Sequence, residues 1–270
     1  MIVCEHLYVT HCEDGWELDV PRKTAGAIGI FPGQNLFSFI DHETGRMILS
    51  PLQLTSMTNY FRFYLNDVRG SLHQVTKVFS EHKLNILSGG GFGFSNIWVS
   101  EFLVDFSNSA VTSDTVLDEV GNLGGFVVNR EITELFPLGF SLDTTFNAEQ
   151  GRDGIRVVSG RPAESLIRNS RVGVVKAWPR LRALFIDFYT PDTKLVHIVA
   201  GIKDQPGSLM ALSDVISSYV NLNAVDEAHH AVASGEWNAY GELVTGSIQE
   251  LQSAASKLDN VLKFNVELLT

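Results

Sequence analysis

The chain has few cysteines, no long apolar run and a deficit of basic residues. Only two of its 270 residues are cysteine, Cys4 and Cys12, so a disulfide framework is not expected. No apolar run reaches the roughly 20 residues that cross a bilayer, and the N-terminus does not read as a charged leader followed by an apolar segment. These absences predict a cytoplasmic location. The formal net charge of −11 disfavours a general nucleic-acid binder.

The basic residues that are present are concentrated in one part of the chain. Residues 136–193 carry eight Lys and Arg against six Asp and Glu, whereas residues 1–58, 59–135 and 194–270 are each acidic. A polyanionic partner responds to local charge, so residues 152–182 are a candidate for contact with DNA or RNA, and the alternative is a solvated charged surface. The basic residues of this segment are Arg152, Arg156, Arg161, Arg168, Arg171, Lys176, Arg180 and Arg182.

A short sequence occurs twice, about 137 residues apart. Residues 66–72 read NDVRGSL and residues 203–209 read KDQPGSL. Each follows a short apolar run and precedes a helical pattern with the same 3-3-1 spacing of apolar residues, typical of the buried face of an amphipathic helix. Those apolar residues are Leu72, Val75, Val78 and Phe79 in the first copy and Leu209, Leu212, Val215 and Ile216 in the second.

The segments that follow each repeated loop also correspond. Strands are predicted over 97–106 and over 229–244 with a break near residues 234–235. Second helices are predicted over 113–123 and 247–258, and closing strands over 125–133 and 261–269. The run 88–93, SGGGFG, is interpreted as a turn because it lacks the Lys-Ser/Thr ending of a phosphate-binding loop. Each copy therefore reads strand, helix, strand, strand, helix, strand.

This order, with Asp-x-Pro-Gly-x-Leu at the first strand–helix turn, resembles the ACT domain. The second copy has the motif in full, whereas the first has Arg69 in place of the proline. The resemblance implies an α+β chain with two ferredoxin-like ACT domains, 59–135 and 194–270, and ligands such as amino acids bound where two ACT units pair. It places candidate ligand-binding residues in and after each loop. These are Asp204, Gln205, Gly207, Ser208 and Asn223, with Asp67, Gly70, Ser71 and Asn85 in the first copy.

Elementary physics is compatible with such a site. A helix N-terminus presents unpaired N–H groups and a partial positive charge, which suit a ligand carboxylate. Asp67 or Asp204 could pair with a ligand ammonium group. The alternative is that each Asp caps its helix and each Gly only makes the turn.

The first 58 residues resemble the swapped-hairpin fold of AbrB/SpoVT-type transcription regulators. The similarity lies in a strand, Pro21 with basic residues, a short helix, Pro32-Gly33 and two strands joined by a turn. It implies DNA contacts by Arg22 and Lys23, and the alternative is a small β module that only supports dimerisation. Residues 136–193 repeat the sequence Phe-Ile-Asp of residues 39–41 at residues 185–187, and a short helix is predicted over 163–168, as after Pro21. Each ACT unit is therefore expected to follow a small β-rich unit. Two such units could complete one barrel within the chain.

Two other groups of residues are considered for chemistry. Cys4, His6, His11 and Cys12 are closely spaced metal-ligand types, but structural zinc sites more often contain Cys-x2-Cys pairs, so no metal or other cofactor is predicted. No Ser-His-Asp or Cys-His spacing favours a nucleophile, and no catalytic residue is assigned.

The sequence therefore predicts a regulatory protein that senses a small molecule, with an amino acid as the favoured class. Its expected output is control of transcription, and the alternative is a non-catalytic allosteric subunit of an amino-acid metabolic enzyme that does not bind DNA. A homodimer or higher homo-oligomer is expected. The nucleic-acid candidates are Arg22, Lys23, Arg161, Arg168, Arg171, Lys176, Arg180 and Arg182.

Overall fold

The computed structural model describes residues 3–12, 15–41, 45–55, 57–123, 127–134, 141–159, 170–230 and 234–270. Within these ranges the protein is α+β and rich in strands. A short 3-10 turn, Pro179–Leu181, also occurs. The elements are β1 (Val3–Cys12), β2 (Gly15–Pro21), α1 (Arg22–Ile28), β3 (Asn35–Asp41), β4 (Arg46–Ser50), β5 (Thr58–Asn66), α2 (Ser71–Glu81), β6 (Asn85–Phe94), β7 (Ile97–Asp105), α3 (Ser113–Gly121), β8 (Val127–Glu134), β9 (Ser141–Gln150), β10 (Gly154–Ser159), β11 (Val172–Trp178), β12 (Ala183–Tyr189), β13 (Leu195–Lys203), α4 (Ser208–Ser217), β14 (Val220–His230), β15 (Ser234–Leu243), α5 (Ile248–Ala255) and β16 (Val261–Leu268).

The chain divides into two compact units. The larger unit comprises Met1–Leu49, Asp143–Pro179 and Ala183–Thr270, and the smaller unit comprises Ser50–Leu142 and Arg180–Arg182. The larger unit contains a barrel and one four-stranded sheet, and the smaller unit contains another four-stranded sheet. No helix among the described residues is long and apolar enough to cross a membrane.

The barrel of the larger unit takes strands from both β-rich segments of the sequence. Eight strands close it in the order β1-β11-β12-β4-β3-β9-β10-β2. Four come from the first 58 residues and four from residues 136–193, so both β-rich segments contribute strands to one shared barrel. This is the outcome expected if two such segments complete a barrel within one chain.

Alternating side chains fill the barrel, as an eight-stranded barrel of this size allows. In β2, Leu18 and Val20 are fully buried whereas Asp19 between them is exposed. Helix α1 adds Ala25 and Ile28 to the same core and ends at Gly29, whose φ of 76° is the left-handed conformation common after a helix. The inside of the barrel is therefore filled by packed apolar side chains.

The remaining strands form two four-stranded antiparallel sheets. The first sheet has the order β6-β7-β5-β8, and the second has the order β14-β15-β13-β16. In each, the chain runs strand, helix, strand, strand, helix, strand, which confirms the predicted order of elements. The apolar stripe of α2 is buried at Val75, Val78 and Phe79, and that of α4 at Leu212 and Ile216.

The glycine-rich run 88–93 is a strand and not the predicted turn. It lies within β6 and pairs with β7 along its length. A Cβ at Gly89 would lie 2.7 Å from the Phe102 ring, and one at Gly91 would lie 2.7 Å from the Val99 carbonyl oxygen. The glycines are therefore needed because the backbone and aromatic side chains of β7 occupy the space where side chains of β6 would begin. Strand β14 likewise begins earlier than predicted, at Val220.

Candidate functional site

The two repeated loops have the same backbone geometry. Helices α2 and α4 begin directly after Gly70 and Gly207, whose φ angles are 96° and 87°, so the N-cap position of each helix is a glycine that has no side chain to cap it. A Cβ built on either glycine would meet nothing within 4 Å, so the glycines are required by the left-handed conformation and not by crowding.

The serines that follow these glycines are buried. Ser71 is 4% exposed and Ser208 is 3% exposed. The Ser71 hydroxyl lies 2.8 Å from the carbonyl oxygens of Asn66 and Val68, to which it can donate. The Ser71 hydroxyl therefore bonds within its own loop, whereas Asp204, Gln205 and Gly207 are exposed.

The structure does not bring the predicted ligand residues of each copy together. Lys203 pairs with Ser234 at one end of β15, whereas Ala224, next to Asn223, pairs with Tyr240. Six residues of strand separate these positions, or about 20 Å. Asn85 is similarly distant from Asp67, because β6 begins opposite the end of β7 that is remote from the loop. One small ligand cannot touch both groups within one sheet.

Asn223 instead lies where the second sheet meets the barrel wall, a contact within the larger unit that we call the junction. Its Oδ1 accepts a hydrogen bond of 3.1 Å from Lys176 Nζ on β11. Lys176 also pairs with Asp187 on β12, and Asp187 Oδ1 lies 3.0 Å from Arg46 Nε on β4. Two residues that the sequence assigned to different partners, Asn223 to a metabolite and Lys176 to nucleic acid, are thus in direct contact.

The junction has an apolar part and a cavity. The apolar cluster combines Cys4, Val172 and Val174 of the barrel with Leu195, Ala224 and Tyr240 of the second sheet. Burial raises the pKa of the Cys4 thiol to about 11, and its Sγ lies 3.7 Å from the Val225 carbonyl oxygen. A cavity of about 330 Å³, the junction cavity, is lined by Cys4, Lys176, Trp178, Phe185, Asn223, Ala224 and Val225.

An aromatic group at the junction was not expected from the sequence. The rings of His197 and Tyr240 are stacked, with centroids 4.5 Å apart, and the His6 ring lies 6.2 Å from His197. Burial and the neighbouring His6 lower the pKa of His197, and burial raises the pKa of Tyr240. The alternation of apolar residues along β1 and β13 indicates which face each residue occupies, but it does not show that these two faces meet.

Three of the six described candidate nucleic-acid residues have acidic neighbours or a backbone role. Lys176 is paired with Asp187, and Arg180 lies 3.3 Å from Glu101 and over the ring of Tyr60. The Arg182 carbonyl oxygen accepts from a serine hydroxyl. Arg22, Lys23 and Arg171 are exposed. Arg161 and Arg168, and the predicted helix over 163–168, lie outside the described residues.

The candidate metal ligands are spread along β1. Cys4 belongs to the junction cluster. His11 Nε2 lies at hydrogen-bond distance, 3.0 Å, from the Ser170 carbonyl oxygen. Among the described residues, no three His, Cys, Asp or Glu side chains form a group that could hold a metal ion.

Comparison with known proteins gives only weak matches. No protein-family model matches the chain, and no curated protein matches it. Among solved structures, it matches a protein of unknown function from Galdieria sulphuraria at 13% identity, covering 79% of this chain and 99% of that one with a TM-score of 0.31. The acetolactate synthase small subunit from Thermotoga maritima matches at 8% identity over 78% and 93%, with a TM-score of 0.24. The prephenate dehydratase from Staphylococcus aureus subsp. aureus Mu50 matches at 13% identity over 87% and 73%, with a TM-score of 0.27. TM-scores this low do not establish a shared fold over the whole chain.

Proposed function

We propose that this protein is a non-catalytic regulator that binds an amino acid or similar small metabolite at the junction cavity. The observation that carries the proposal is the hydrogen bond between Asn223 and Lys176 at the edge of that cavity. Asn223 is also the residue that the ACT-like pattern of the second copy marks for ligand contact. The second ACT-like unit packs on the barrel, and the cavity lies at that contact. This arrangement supports a sensor in which ligand binding changes the contact between the two.

The chemistry of the junction cavity suits a small amino acid. Trp178 and Phe185 offer an apolar surface, with ring centroids 6.2 Å apart. Lys176 is the cation within reach and Asn223 the neutral polar group. The Lys176 ammonium group has three N–H donors, and Asp187 and Asn223 accept from two of them, so the third can donate a charge-assisted hydrogen bond to a ligand carboxylate. The volume of about 330 Å³ lies at the lower end of the range for small-molecule sites.

Ligand binding would then change the contact between the second sheet and the barrel. Lys176 on β11 pairs with Asp187 on β12, and Asp187 also pairs with Arg46 on β4. A change in the position of Lys176 therefore alters ion pairs that join three barrel strands. A ligand shifts an equilibrium only by its difference in affinity for the two arrangements. Here the difference arises because the ligand contacts Lys176 on the barrel and Asn223 on the second sheet together, so it favours the arrangement in which these two side chains are close.

The test is a thermal-unfolding screen of the full chain against the twenty amino acids. A ligand at a hundred times its dissociation constant stabilises the fold by about 2.7 kcal/mol, so weak binders register. We expect at least one amino acid to raise the unfolding temperature, and Asn223→Ala to reduce that rise. Asn85→Ala is the matched control, because Asn85 holds the corresponding position in the first sheet. A flat screen would contradict the proposed function.

The loop residues of the second copy remain a prediction that the same screen tests. If Asp204→Ala abolishes the stabilisation and Asn223→Ala does not, the ligand binds at the loop and the junction assignment is wrong. The sensing function would survive that result, because the ligand would still be bound by the second ACT-like unit.

The output of the sensor is proposed to be transcriptional, with Arg22 and Lys23 at the exposed start of α1 as the DNA contacts. Binding to random duplex DNA at low salt should fall steeply as salt is added. It should also weaken in the double variant Arg22→Ala/Lys23→Ala. Absence of DNA binding at low salt would instead favour a regulatory subunit, which predicts co-purification with a metabolic enzyme from the native host.

A further inference from the structure

A second and larger cavity lies on the barrel wall. It has a volume of about 610 Å³ and is bounded by β1, β2, β10, the β9–β10 turn and β15; we call it the barrel-wall cavity. It is built from residues of the larger unit alone. Its side chains with polar or aromatic chemistry are Glu5, His6, Tyr8, Asp19, Arg152, Asp153, Arg156 and Tyr240.

Strand register places a carboxylate between an aromatic ring and a guanidinium group on the floor of this cavity. Asp19 on β2 is opposite Tyr8 on β1 and opposite Arg156 on β10. Directly opposed side chains on one face of a sheet lie about 4.5–5.5 Å apart at Cβ. Because Leu18 and Val20 point into the barrel core, this row of three must point outwards, into the cavity.

Two buried polar atoms of the cavity lining have no hydrogen-bond partner among the described residues. They are Arg156 Nε and His6 Nδ1. Arg156 Nε lies 3.4 Å from Glu17 Oε2, so the two charges attract each other, but the contact does not have hydrogen-bond geometry. Buried donors and acceptors are normally satisfied, and an unsatisfied guanidinium N–H that borders a cavity is suited to a ligand carboxylate.

The charges around the cavity limit the class of ligand. Asp19 and Asp153 oppose Arg152 and Arg156, whereas the Glu5 carboxylate accepts a hydrogen bond from Thr24 on α1. A nucleotide phosphate would face two carboxylates as well as the two cations, and a simple carboxylic acid would leave the acidic side chains without a cation. A ligand with both an ammonium and a carboxylate group satisfies both sets. The rings of Tyr8, His6 and Tyr240 provide flat apolar surface for the rest of the molecule.

We propose that the barrel-wall cavity is a second ligand site, which binds a zwitterionic amino acid with a planar side chain. The ligand carboxylate binds Arg156 and the ligand ammonium binds Asp19. The site goes beyond the proposed function, because it does not involve Asn223, the repeated loops or the junction cavity. Tyr240 contributes both to the cavity and to the junction cluster, so occupancy of this site is placed to affect the same contact.

The test is calorimetric titration of the full chain with phenylalanine, tyrosine, tryptophan and histidine. We expect at least one to bind, and Arg156→Gln and Asp19→Asn each to weaken binding by about tenfold or more. Arg171→Gln and Asp192→Asn are matched controls that make the same charge changes at exposed residues outside the lining, and they should leave the affinity unchanged. Asn223→Ala should also leave it unchanged.

Ligand derivatives test the same proposal without altering the fold. The N-acetyl derivative lacks the ammonium group and the amide lacks the carboxylate, so both should bind at least about tenfold more weakly than the parent amino acid. Equal affinity of either derivative, or no binding of any of the four amino acids, would overturn the proposal. Binding that is lost in Asn223→Ala but retained in Arg156→Gln and Asp19→Asn would also overturn it, while leaving the proposed function intact.

Discussion

The two cysteines differ in their surroundings although both lie in β1. Cys4 is 7% exposed and packs in the junction cluster, whereas Cys12 at the end of the strand is exposed. Burial, with a smaller contribution from Asp226, raises the pKa of Cys4 to about 11. The thiolate is the reactive form of cysteine, so Cys4 is protected both by its pKa and by its position.

We therefore expect iodoacetamide at pH 8 to modify Cys12 and to spare Cys4. Mass spectrometry of the intact native chain should show one added group, and the chain unfolded in urea should show two. In Cys12→Ser the native chain should show none. Modification of Cys4 in the native chain at the rate of an unfolded control would contradict the packing of the junction described above.

His197 makes the stability of the fold depend on pH. Burial and the neighbouring His6 ring lower its pKa, against smaller opposing effects of Asn238 and of the Glu267 carboxylate. The neutral form is favoured in the fold, so unfolding takes up a proton at pH values between the folded and unfolded pKa. Stability is then full above the unfolded pKa, about 6.5, and falls as the pH drops through the folded pKa.

Replacement of His197 should flatten this dependence. In His197→Phe the aromatic stack on Tyr240 is kept and the titrating group is lost, so urea unfolding between pH 5 and pH 8 should vary less than in the parent chain. His73→Gln, at an exposed position on α2, is the control and should leave the pH profile unchanged. An unchanged profile in His197→Phe would show that His197 does not titrate differently in the two states.

Strand β6 offers a matched pair of glycines. A Cβ at Gly91 would lie 2.7 Å from the Val99 carbonyl oxygen and 3.0 Å from Trp98 Nε1, whereas one at Gly90 would meet nothing within 4 Å. The backbone of β7 cannot move aside without loss of its pairing with β5. Crowding at Gly91 therefore has to be relieved by distortion of the sheet.

We expect Gly91→Ala to lower the free energy of unfolding by about 1–3 kcal/mol. Gly90→Ala should be neutral or slightly stabilising, because alanine restricts the unfolded chain more than glycine does. Thermal unfolding of the two variants beside the parent measures the difference. Equal unfolding temperatures for both variants would mean that β6 does not lie against β7 as described.

Helices are the elements that the sequence predicts best, because their apolar spacing and their flanking glycines lie within the segment itself. Helices α2 and α4 follow from the spacing of their apolar residues and from the glycines that precede them. Strand β6 could not be predicted, because its glycines are explained by the side chains of Trp98 and Phe102 on β7 and not by anything within the run. The sequence shows that this run is rich in glycine, but the reason for the glycines is the close approach of β7, which lies outside the pattern itself.

The candidate site could be predicted in its parts but not in its assembly. The sequence marks Asn223 as a candidate ligand contact and Lys176 as a candidate nucleic-acid contact. It does not predict that the two, 47 positions apart, contact each other. Cys4 meets Val225 across 221 positions. The Asp19–Arg156 pairing likewise depends on a barrel register that no single segment carries. Such contacts follow from closure of the barrel, which is a property of the whole chain.

The barrel requires strands from two distant segments, so each half of the chain contains only four of the eight strands. A fragment of residues 1–135 contains β1–β4 and a fragment of residues 136–270 contains β9–β12. Alone, either fragment exposes the inner face of four strands, including Leu7, Leu18 or Ile186. Exposed apolar faces and unpaired strand edges favour association.

We therefore expect the two fragments, when co-expressed, to form a stable complex that is recovered through a tag on either one. In the matched control, fragment 136–270 carries Val157→Asp and Leu184→Asp, two fully buried barrel positions outside the second sheet. The control should fail to associate because burial of an unpaired charge in the barrel core is strongly unfavourable, although its second sheet is unaltered. If the unaltered fragments do not bind each other, or the altered fragment binds as well as the unaltered one, the eight strands do not close one barrel. The shared barrel, and with it both cavities on its wall, would then be wrong.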